Sequence, residues 1–384
     1  MVGLYIPSWI TDQGLPDSSL ALSEAAAGAA VIFLAPFIGA RSDHRGKRLP
    51  ALAVTTVIAI VATALLDRFE AVATLTLLAL GLIGLHVGSA LYDSLLDDVS
   101  TPANRGRVSG LGVGVGYVGS FVGLGLGLLS FEVLGLGYQG TFALLAAGFL
   151  VFSVPIFLFV EEQRPPAPGS PPPASKVITG LIVSWRRAAR VPGVVRFLMG
   201  RFLYTDAINT LIGGFLAIFV LRELGLSESD VTRLLGLAIA TAIAGGILGG
   251  RLVTRWGALP TLRRVLVVWA LALGAGVVAA VADISPLIWA VGAVGGAALG
   301  MTWTADRVVM LELSPSDRLG EFYGLYATVG RFATVLGPLT WALIVDVFGW
   351  GRPAALLVLA AFVLSGWLVL GAVRPAAPAS ASRR

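Results

Sequence analysis

The chain has 384 residues, of which 57% are hydrophobic and only 13% are charged. Soluble domains carry about 25% charged residues, so this composition does not fit a water-soluble globular protein. The absence of cysteine excludes disulfides, thiolate metal sites and thiol catalysis, and the formal net charge of +5 matters less than the places where the basic residues lie.

Apolar segments of about 20 residues follow one another along the chain, and segments of that length can cross a bilayer as helices. Met1 to Trp9 is apolar but too short to span. Beyond it we predict eleven spans, at about 18–40, 50–66, 71–95, 107–130, 140–160, 193–221, 230–254, 262–282, 286–310, 320–345 and 352–373. Helices are expected, because backbone groups in lipid must bond internally and the segments are too long for tilted barrel strands.

The basic residues lie mostly on one side of these spans. With the loop at 41–48 placed inside, the inside segments hold most of the Lys and Arg residues, Arg201 among them, and Arg331 alone lies in the middle of a span. This asymmetry follows the positive-inside pattern and places the linker and the C-terminus in the cytoplasm. With Gly- and Ala-rich spans, it favours an integral protein of a bacterial inner membrane.

A proline-rich linker, Gln163 to Ser175, divides the chain and is expected to be extended. Lys176 to Arg190 follows and has the pattern of an interfacial helix on the inner leaflet, the alternative being a flexible basic tether. We therefore predict four parts: an N-terminal bundle with five spans over 1–160, a cytoplasmic linker and interfacial helix over 161–192, a six-span bundle over 193–373, and a cytoplasmic tail over 374–384.

The two bundles share residues at an offset of about 211 to 214 positions. The matches include Gly39 with Gly250, Asp93 with Asp306, and Arg105 with Arg318. Corresponding spans run in the same direction, which predicts parallel repeats. The span at 193–221 has no full partner in the first half, where only Met1 to Trp9 remains. We therefore expect the first helix to be largely missing, through a late start codon or a truncation.

A short basic loop, Gly39 to Arg48 (GARSDHRGKR), joins the first two long spans. Two related halves, this loop and a long inside linker resemble the major facilitator superfamily, which implies an all-α membrane transporter. The resemblance implies a gating role for Gly39, Asp43, Arg45, Gly46 and Arg48, with the carboxylate facing a helix start in the other half and the basic side chains facing lipid phosphates or acidic groups. The alternative is a loop that only sets topology.

Three stretches resemble a narrower branch, the vacuole-effluxer-like proteins, which includes autophagy-linked amino-acid effluxers and bacterial relatives. They are Tyr5 to Asp12 (YIPSWITD), Tyr92 to Gly119, and Arg201 to Thr210 (RFLYTDAINT). The resemblance implies secondary active transport by alternating access, with export of amino acids or related metabolites. Drug or sugar export within the superfamily, a solute sensor that does not transport, and a truncated remnant are the alternatives.

Arg331 lies about 11 residues into the 320–345 span. A charge at that depth costs about 2.5–3.5 kcal/mol on insertion scales, so it is expected to face a cavity or a partner. It would bind an anionic group such as a substrate carboxylate. The alternatives are a structural pair with an acidic residue, or a span that lies less deep than the predicted bounds place it. Tyr117, at the equivalent place in the first half, is a second candidate for lining the cavity.

Asp206 lies about two turns into its span, and Asn209 and Thr210 share its helix face. A polar patch on an apolar helix predicts a substrate or proton site, since burial of a carboxylate favours its neutral form. A structural hydrogen bond between helices is the alternative. Tyr204, from the same stretch, completes the candidate set.

Asp93 and Asp306 are expected near inner helix ends, where they would form gating ion pairs with loops that contain Arg105 and Arg318. The glycines of the 107–130 span follow helical spacing and predict close helix packing; they are Gly112, Gly116, Gly119, Gly123 and Gly127. The sequence shows no catalytic triad, phosphate loop, zinc spacing or nucleic-acid module. We expect no enzyme activity, cofactor, metal or nucleic-acid partner, and instead a monomer that binds a small solute, protons and membrane lipids.

Overall fold

The computed structural model describes residues 4–99, 105–162, 173–314 and 319–373. Within these ranges the side chains at 43, 96–97, 105–114, 117, 174–178, 181, 319–321, 323, 327 and 331 are not described. The described residues form helices joined by turns, as the composition predicts. The chain divides into two compact units, Met1–Ile178 and Thr179–Arg384.

The first unit contains seven described helices and the start of an eighth. These are α1 (Tyr5–Asp12), α2 (Ser18–Arg45), α3 (Leu49–Ala64), α4 (Ala71–Ser94), α5 (Leu96–Val99), α6 (Arg105–Leu128), α7 (Gly137–Phe159) and α8 (Ala174–Ala188). A π-helical turn, Leu129–Val133, continues α6.

The second unit contains the remaining described helices. These are α9 (Val194–Thr210), α10 (Leu216–Arg222), α11 (Glu228–Trp256), α12 (Ala258–Val281), α13 (Leu287–Leu313), α14 (Leu319–Phe332), α15 (Leu336–Ala342) and α16 (Arg352–Gly371). π-Helical turns link α9 to α10 at Leu211–Phe215 and extend α15 at Leu343–Val347.

Eight described helices are long and apolar enough to cross a membrane. They coincide with eight of the predicted spans. The other three predicted spans, at 50–66, 107–130 and 320–345, overlap shorter apolar helices, Leu49–Ala64, Val118–Val133 and Leu336–Val347. The count of eleven spans therefore stays a prediction.

The basic loop is shorter than the sequence indicates, because α2 continues through Arg45. Gly46 then adopts a left-handed backbone (φ 66°), and the Lys47 amide donates to the Ser42 carbonyl at 3.2 Å. This is the Schellman arrangement, in which a left-handed glycine lets the chain satisfy a terminal helix carbonyl. The turn is thereby reduced to three residues before α3 begins at Leu49.

The core of the first unit lies where α2, α3 and α4 meet. Val31 and Ala35 of α2, Leu52 of α3, and Val87 and Leu91 of α4 are buried against one another. Lipid tails are as apolar as these side chains, so close van der Waals packing, rather than exclusion of water, holds such helices together.

In the second unit, α11 and α13 approach most closely along a stripe of glycines. Gly292, Gly296 and Gly300 follow at four-residue intervals on α13, and a methyl group added at any of them would overlap α11. At Gly296 the overlap is with the backbone carbonyl of Ala238. Spacing of this kind keeps small residues on one helix face and lets backbones touch.

Among the described residues, the close packing predicted for the glycines of α6 is seen at one position. A methyl group at Gly127 would overlap the Tyr5 ring, but at Gly116, Gly119 and Gly123 it would meet no described atom within 4 Å. Contacts among the described residues therefore support close packing at Gly127, and at the other three positions close packing stays a prediction.

A break separates α14 from α15 and has a local cause. Pro338 lies in the first turn of α15. A proline ring collides with the carbonyl four residues earlier and removes a backbone donor, so a helix cannot run through it undisturbed. The residue four positions earlier is Thr334, and the chain leaves the helix at Ala333 to Val335.

Candidate functional site

A network of charged and aromatic side chains lies inside the second unit, where the helices are otherwise apolar. Arg201 on α9 donates from Nε to Asp306 Oδ2 on α13 at 3.0 Å. Tyr204 donates its hydroxyl to Asp306 Oδ1 at 2.6 Å, and Tyr326 on α14 donates to Oδ2 at 2.7 Å. Arg201 is 5% exposed and Asp306 is 0% exposed.

The Arg201 guanidinium is held on more than one side. It lies over the Tyr326 ring, 3.7 Å from the ring centroid, and its Nη1 donates to the Tyr326 carbonyl at 3.1 Å. A cation over an aromatic face is stabilised by the ring quadrupole, especially where water is excluded. Arginine suits this position because its planar guanidinium can donate hydrogen bonds and stack on an aromatic ring at the same time.

Glycines make room for these side chains. Gly200 on α9 faces Gly366 on α16 so closely that a methyl group at either would press on the other backbone. Gly330 on α14 lies against the Arg201 guanidinium, and a methyl group there would come within 2.7 Å of Nη1. These contacts bring Arg201 and Tyr204, one turn apart on α9, into the interior of the unit.

The network ties three helices together and is internally satisfied. Asp306 accepts three hydrogen bonds, one from a cation and two from phenols, and all its partners come from α9 and α14. A buried ion pair is tolerated only when hydrogen bonds satisfy its remaining lone pairs. The arrangement therefore holds α9, α13 and α14 in register.

A second polar group on α9 faces the break between α14 and α15. Asn209 donates from Nδ2 to the Ala333 carbonyl at 2.8 Å, which satisfies a carbonyl that the interrupted helix leaves open. Thr210 packs against Gly337, where a methyl group would overlap its hydroxyl, and donates to the Asp206 carbonyl at 2.7 Å. Asp206 itself is 0% exposed.

In the first unit, Arg48 joins the ends of several helices. Its Nη1 donates to the Ser94 carbonyl at the end of α4 and lies 3.8 Å from Asp98 Oδ2. Glu162, just after α7, accepts from the backbone amides of Arg48 and Leu49. The first amides of a helix have no partner within it, so this carboxylate satisfies the start of α3.

The other gating residues of the loop lie apart from this cluster. Arg45 is exposed and, with Arg41 and Lys47, lines a half-open cavity of about 510 Å³ whose apolar wall includes Phe37 and Ile38. Gly39 is half-buried, and a methyl group there would meet no described atom within 4 Å.

The internal repeat places Asp93 and Asp306 at equivalent positions, but their surroundings differ. Asp93 is exposed near the end of α4, whereas Asp306 is buried with a cation from another span helix. The prediction that arginine-rich loops supply the partner of Asp306 is therefore wrong, because its partner is Arg201 on α9. Arg201 in turn lies in the interior and not with the basic residues of the inner surface.

Five predicted site residues lie outside what the structure describes. Arg318 falls outside the described residues, and the side chains of Asp43, Arg105, Tyr117 and Arg331 are not described within their helices. Their predicted roles stay predictions. Among the described residues, no cluster of His, Asp and Glu could hold a metal ion.

Sequence reasoning missed Arg201 and Tyr326 as site residues. A usable signal was present for the first, since Arg201 and Tyr204 are three residues apart and share a helix face within an apolar span. An arginine in such a place requires a partner, and Asp306 is a carboxylate in another span. Tyr326 had no comparable signal, because its role follows from the position of α14.

Comparisons with known proteins agree with this fold. A family model described as "Vacuole effluxer Atg22 like" matches residues 96–375. YxiO of Bacillus subtilis, described as an uncharacterized MFS-type transporter, is 23% identical over 346 residues, which cover 86% of this chain and 79% of that protein. Autophagy-related protein 22-2 of Aspergillus clavatus is 26% identical over 284 residues, or 65% of this chain and 44% of that protein.

Solved structures show the same architecture. A bacterial homologue of the human lysosomal transporter Spinster, in an inward-facing and unoccupied conformation, has a TM-score of 0.66 to this chain at 19% identity. The match covers 98% of this chain and 95% of that one. This likeness shows the fold, and it confirms the all-α major facilitator fold that the sequence predicts.

Proposed function

The chain belongs to the vacuole effluxer Atg22-like family, and from that premise we propose that it exports amino acids or related small metabolites by secondary active transport. It is an integral membrane protein of the major facilitator type. The observation that carries the proposal is the ionic network buried in the second unit. Ionisable residues inside membrane helices are costly, and they mark solute or ion pathways by default.

The substrate class follows from the family and from charge. An amino acid carries a carboxylate and an ammonium group. A binding site for it inside the membrane needs at least one fixed side-chain charge opposite to one of these groups. Arg201 and Asp306 already satisfy each other, so we assign the substrate carboxylate to Arg331. This residue follows Gly330, which lies against the Arg201 guanidinium. The backbone thus places Arg331 one residue from the network.

The transport cycle that we propose is alternating access, in which related bundles rock about a fixed site near the midplane of the membrane. A solute or ion gradient supplies the energy. From the positive-inside pattern we place the linker and the C-terminus in the cytoplasm. We further propose a monomer in a bacterial inner membrane, as expected from the sequence. The gating role of Arg48 is supported by its contacts with the ends of α4 and α5.

The test is counterflow in proteoliposomes. The purified chain is reconstituted with an unlabelled amino acid inside, and entry of the labelled compound is followed for a panel of amino acids, with a sugar and a cationic drug as comparisons. We expect exchange of at least one amino acid and none of the sugar or the drug. Exchange of the sugar or the drug alone would contradict amino-acid export and indicate a transporter of that other substrate class.

The substrate assignment has its own variant. Arg331→Ala should raise the concentration of amino acid needed for half-maximal exchange, because it removes the cation that binds the carboxylate. Arg233→Ala is the matched control, since Arg233 is 70% exposed on α11. Binding of an amino acid without exchange by the wild-type protein would identify a sensor and refute transport.

A further inference from the structure

Asp206 is a buried acid that the network of Arg201 and Asp306 does not use. Neither of its carboxylate oxygens is accessible, and neither has a hydrogen-bond partner among the described residues. An unpaired carboxylate in such a place is strongly disfavoured in its charged form. Its neutral form is therefore accessible.

The surroundings of Asp206 also contain backbone amide donors that could stabilise its charged form. The carboxylate lies near the backbone amides of Val335, Leu336 and Gly337, at the break before α15, although it forms no hydrogen bond of normal geometry there. The first amides of a helix lack partners within the helix, and Pro338 has no amide to offer. A small movement of the break would bring these donors onto the carboxylate.

Building on the transport function proposed above, we infer that Asp206 is the site at which this protein binds and releases a coupling proton, and that the packing of the α14–α15 break follows its charge. The neutral acid fits the arrangement observed here. On loss of the proton to water, the carboxylate attracts the amides of Leu336 and Gly337, and the break closes onto α9. The step moves one proton and requires no other reactant.

A proton is favoured over a metal cation by the kind of group at this site. Hard metal cations bind through several oxygen ligands at once. Here the groups near the Asp206 carboxylate across the break include the amide N–H donors of Val335, Leu336 and Gly337, which repel a cation.

The other described charged groups on the elements packed around α9 bond to one another, bond elsewhere or are exposed to solvent. Arg201 and Tyr204 on α9, Asp306 on α13 and Tyr326 on α14 bond to one another. The π-helical turn after α9, α15 and the described side chains of α16 that follow Arg352 carry no ionisable group, and Arg352 pairs with Glu223 at 3.6 Å. Arg196, in the first turn of α9, donates to the Ala372 carbonyl at 3.2 Å, and Arg307 and Glu312 on α13 are exposed. The side chains of Glu321, Tyr323 and Arg331 on α14 are not described. Among the described side chains, Asp206 is thus the titratable group that faces the break.

The experiment separates proton coupling from solute exchange. In proteoliposomes, Asp206→Asn should lose accumulation of the amino acid driven by a pH gradient but keep counterflow, because exchange requires no net proton movement. Asp206→Glu should keep proton-driven accumulation with a shifted pH dependence. Asp283→Asn is the matched control, since Asp283 is exposed in the same unit and asparagine tolerates its left-handed backbone (φ 54°).

A second measurement requires no solute. Infrared difference spectra of the wild-type protein, recorded from mildly acidic to mildly alkaline pH, should show a protonated carboxyl band that disappears on titration and is missing from Asp206→Asn. Failure of every solute to exchange would refute the transport function and leave this spectrum to decide the proton site. The inference is overturned if the band is unchanged in Asp206→Asn, if that variant accumulates solute like the wild type, or if a sodium gradient replaces the pH gradient.

Discussion

The pairing of Arg201 with Asp306 makes a quantitative prediction that a double-mutant cycle can test. Arg201→Met removes the cation and keeps a long apolar side chain, while Asp306→Asn removes the anion and keeps the shape. Either change alone leaves one charge in an interior where its partner was 3.0 Å away. Removing one member of a buried pair typically costs about 3–5 kcal/mol.

The double variant should be less damaged than the sum of the single variants. It holds no buried charge, and its remaining defects are neutral: an asparagine amide group and one tyrosine hydroxyl that has lost its acceptor. Each unsatisfied neutral group costs about 1–3 kcal/mol. We therefore expect the double variant to lose no more stability than either single one. The coupling energy should then be at least as large as one single loss, at or above the upper limit of the usual range of about 0.5–3 kcal/mol.

The assay is equilibrium unfolding in mixed detergent micelles, followed by tryptophan fluorescence. The same substitutions at Arg233 and Asp230, a pair at 3.3 Å whose side chains are 70% and 28% exposed, provide the control cycle. Its coupling should be close to zero, because exposed ion pairs are screened by water. If the two changes at Arg201 and Asp306 simply add, the charges do not stabilise each other and the network does not anchor the helices.

Two further substitutions test the packing of each unit, with thermal unfolding in detergent as the measurement. Gly296→Ala should destabilise the protein by about 1–3 kcal/mol through overpacking, because its methyl group would overlap α11. The control Gly274→Ala, where no described atom lies within 4 Å, should be neutral or slightly stabilising. Equal effects of the two substitutions would refute the close packing of α13 against α11. Trp9→Phe should destabilise the protein by about 2 kcal/mol, since it leaves a small cavity and removes the 2.7 Å hydrogen bond from Trp9 Nε1 to Asp67 Oδ1. The control Trp350→Phe, at an exposed ring, should change stability little. Unchanged stability of Trp9→Phe would show that this hydrogen bond does not hold α1 in place.

Composition was sufficient to predict the helices, because a lipid-exposed segment must be apolar over its whole length. Their ends were harder to predict. Apolar residues become sparse after Gly39, which suggests that the helix ends there. Instead, α2 continues to Arg45, and the left-handed backbone of Gly46 ends it. Hydropathy thus locates the membrane boundary, while the helix boundary depends on the local backbone.

Contacts between distant segments were beyond a single sequence. Asp206 and Asn209 could be identified as a polar patch from their spacing alone, and Pro338 could be identified as a helix breaker. That the patch faces the break depends on how α9 packs against α15, which no local pattern encodes. The same holds for Gly296, whose importance comes from the backbone of α11 and not from its own neighbours in sequence.

The two units place buried ionic contacts at different positions along their helices. Arg48, which is 7% exposed, joins helix ends in the first unit. Arg201 and Asp306 join the interiors of three helices in the second unit, where separation leaves charges unsolvated. Rearrangement within the second unit should therefore leave this network intact and occur where the backbone is already interrupted, at Ala333 to Val335. Asp206 faces that segment. A change in the charge of Asp206 therefore acts on the part of the second unit where rearrangement costs least.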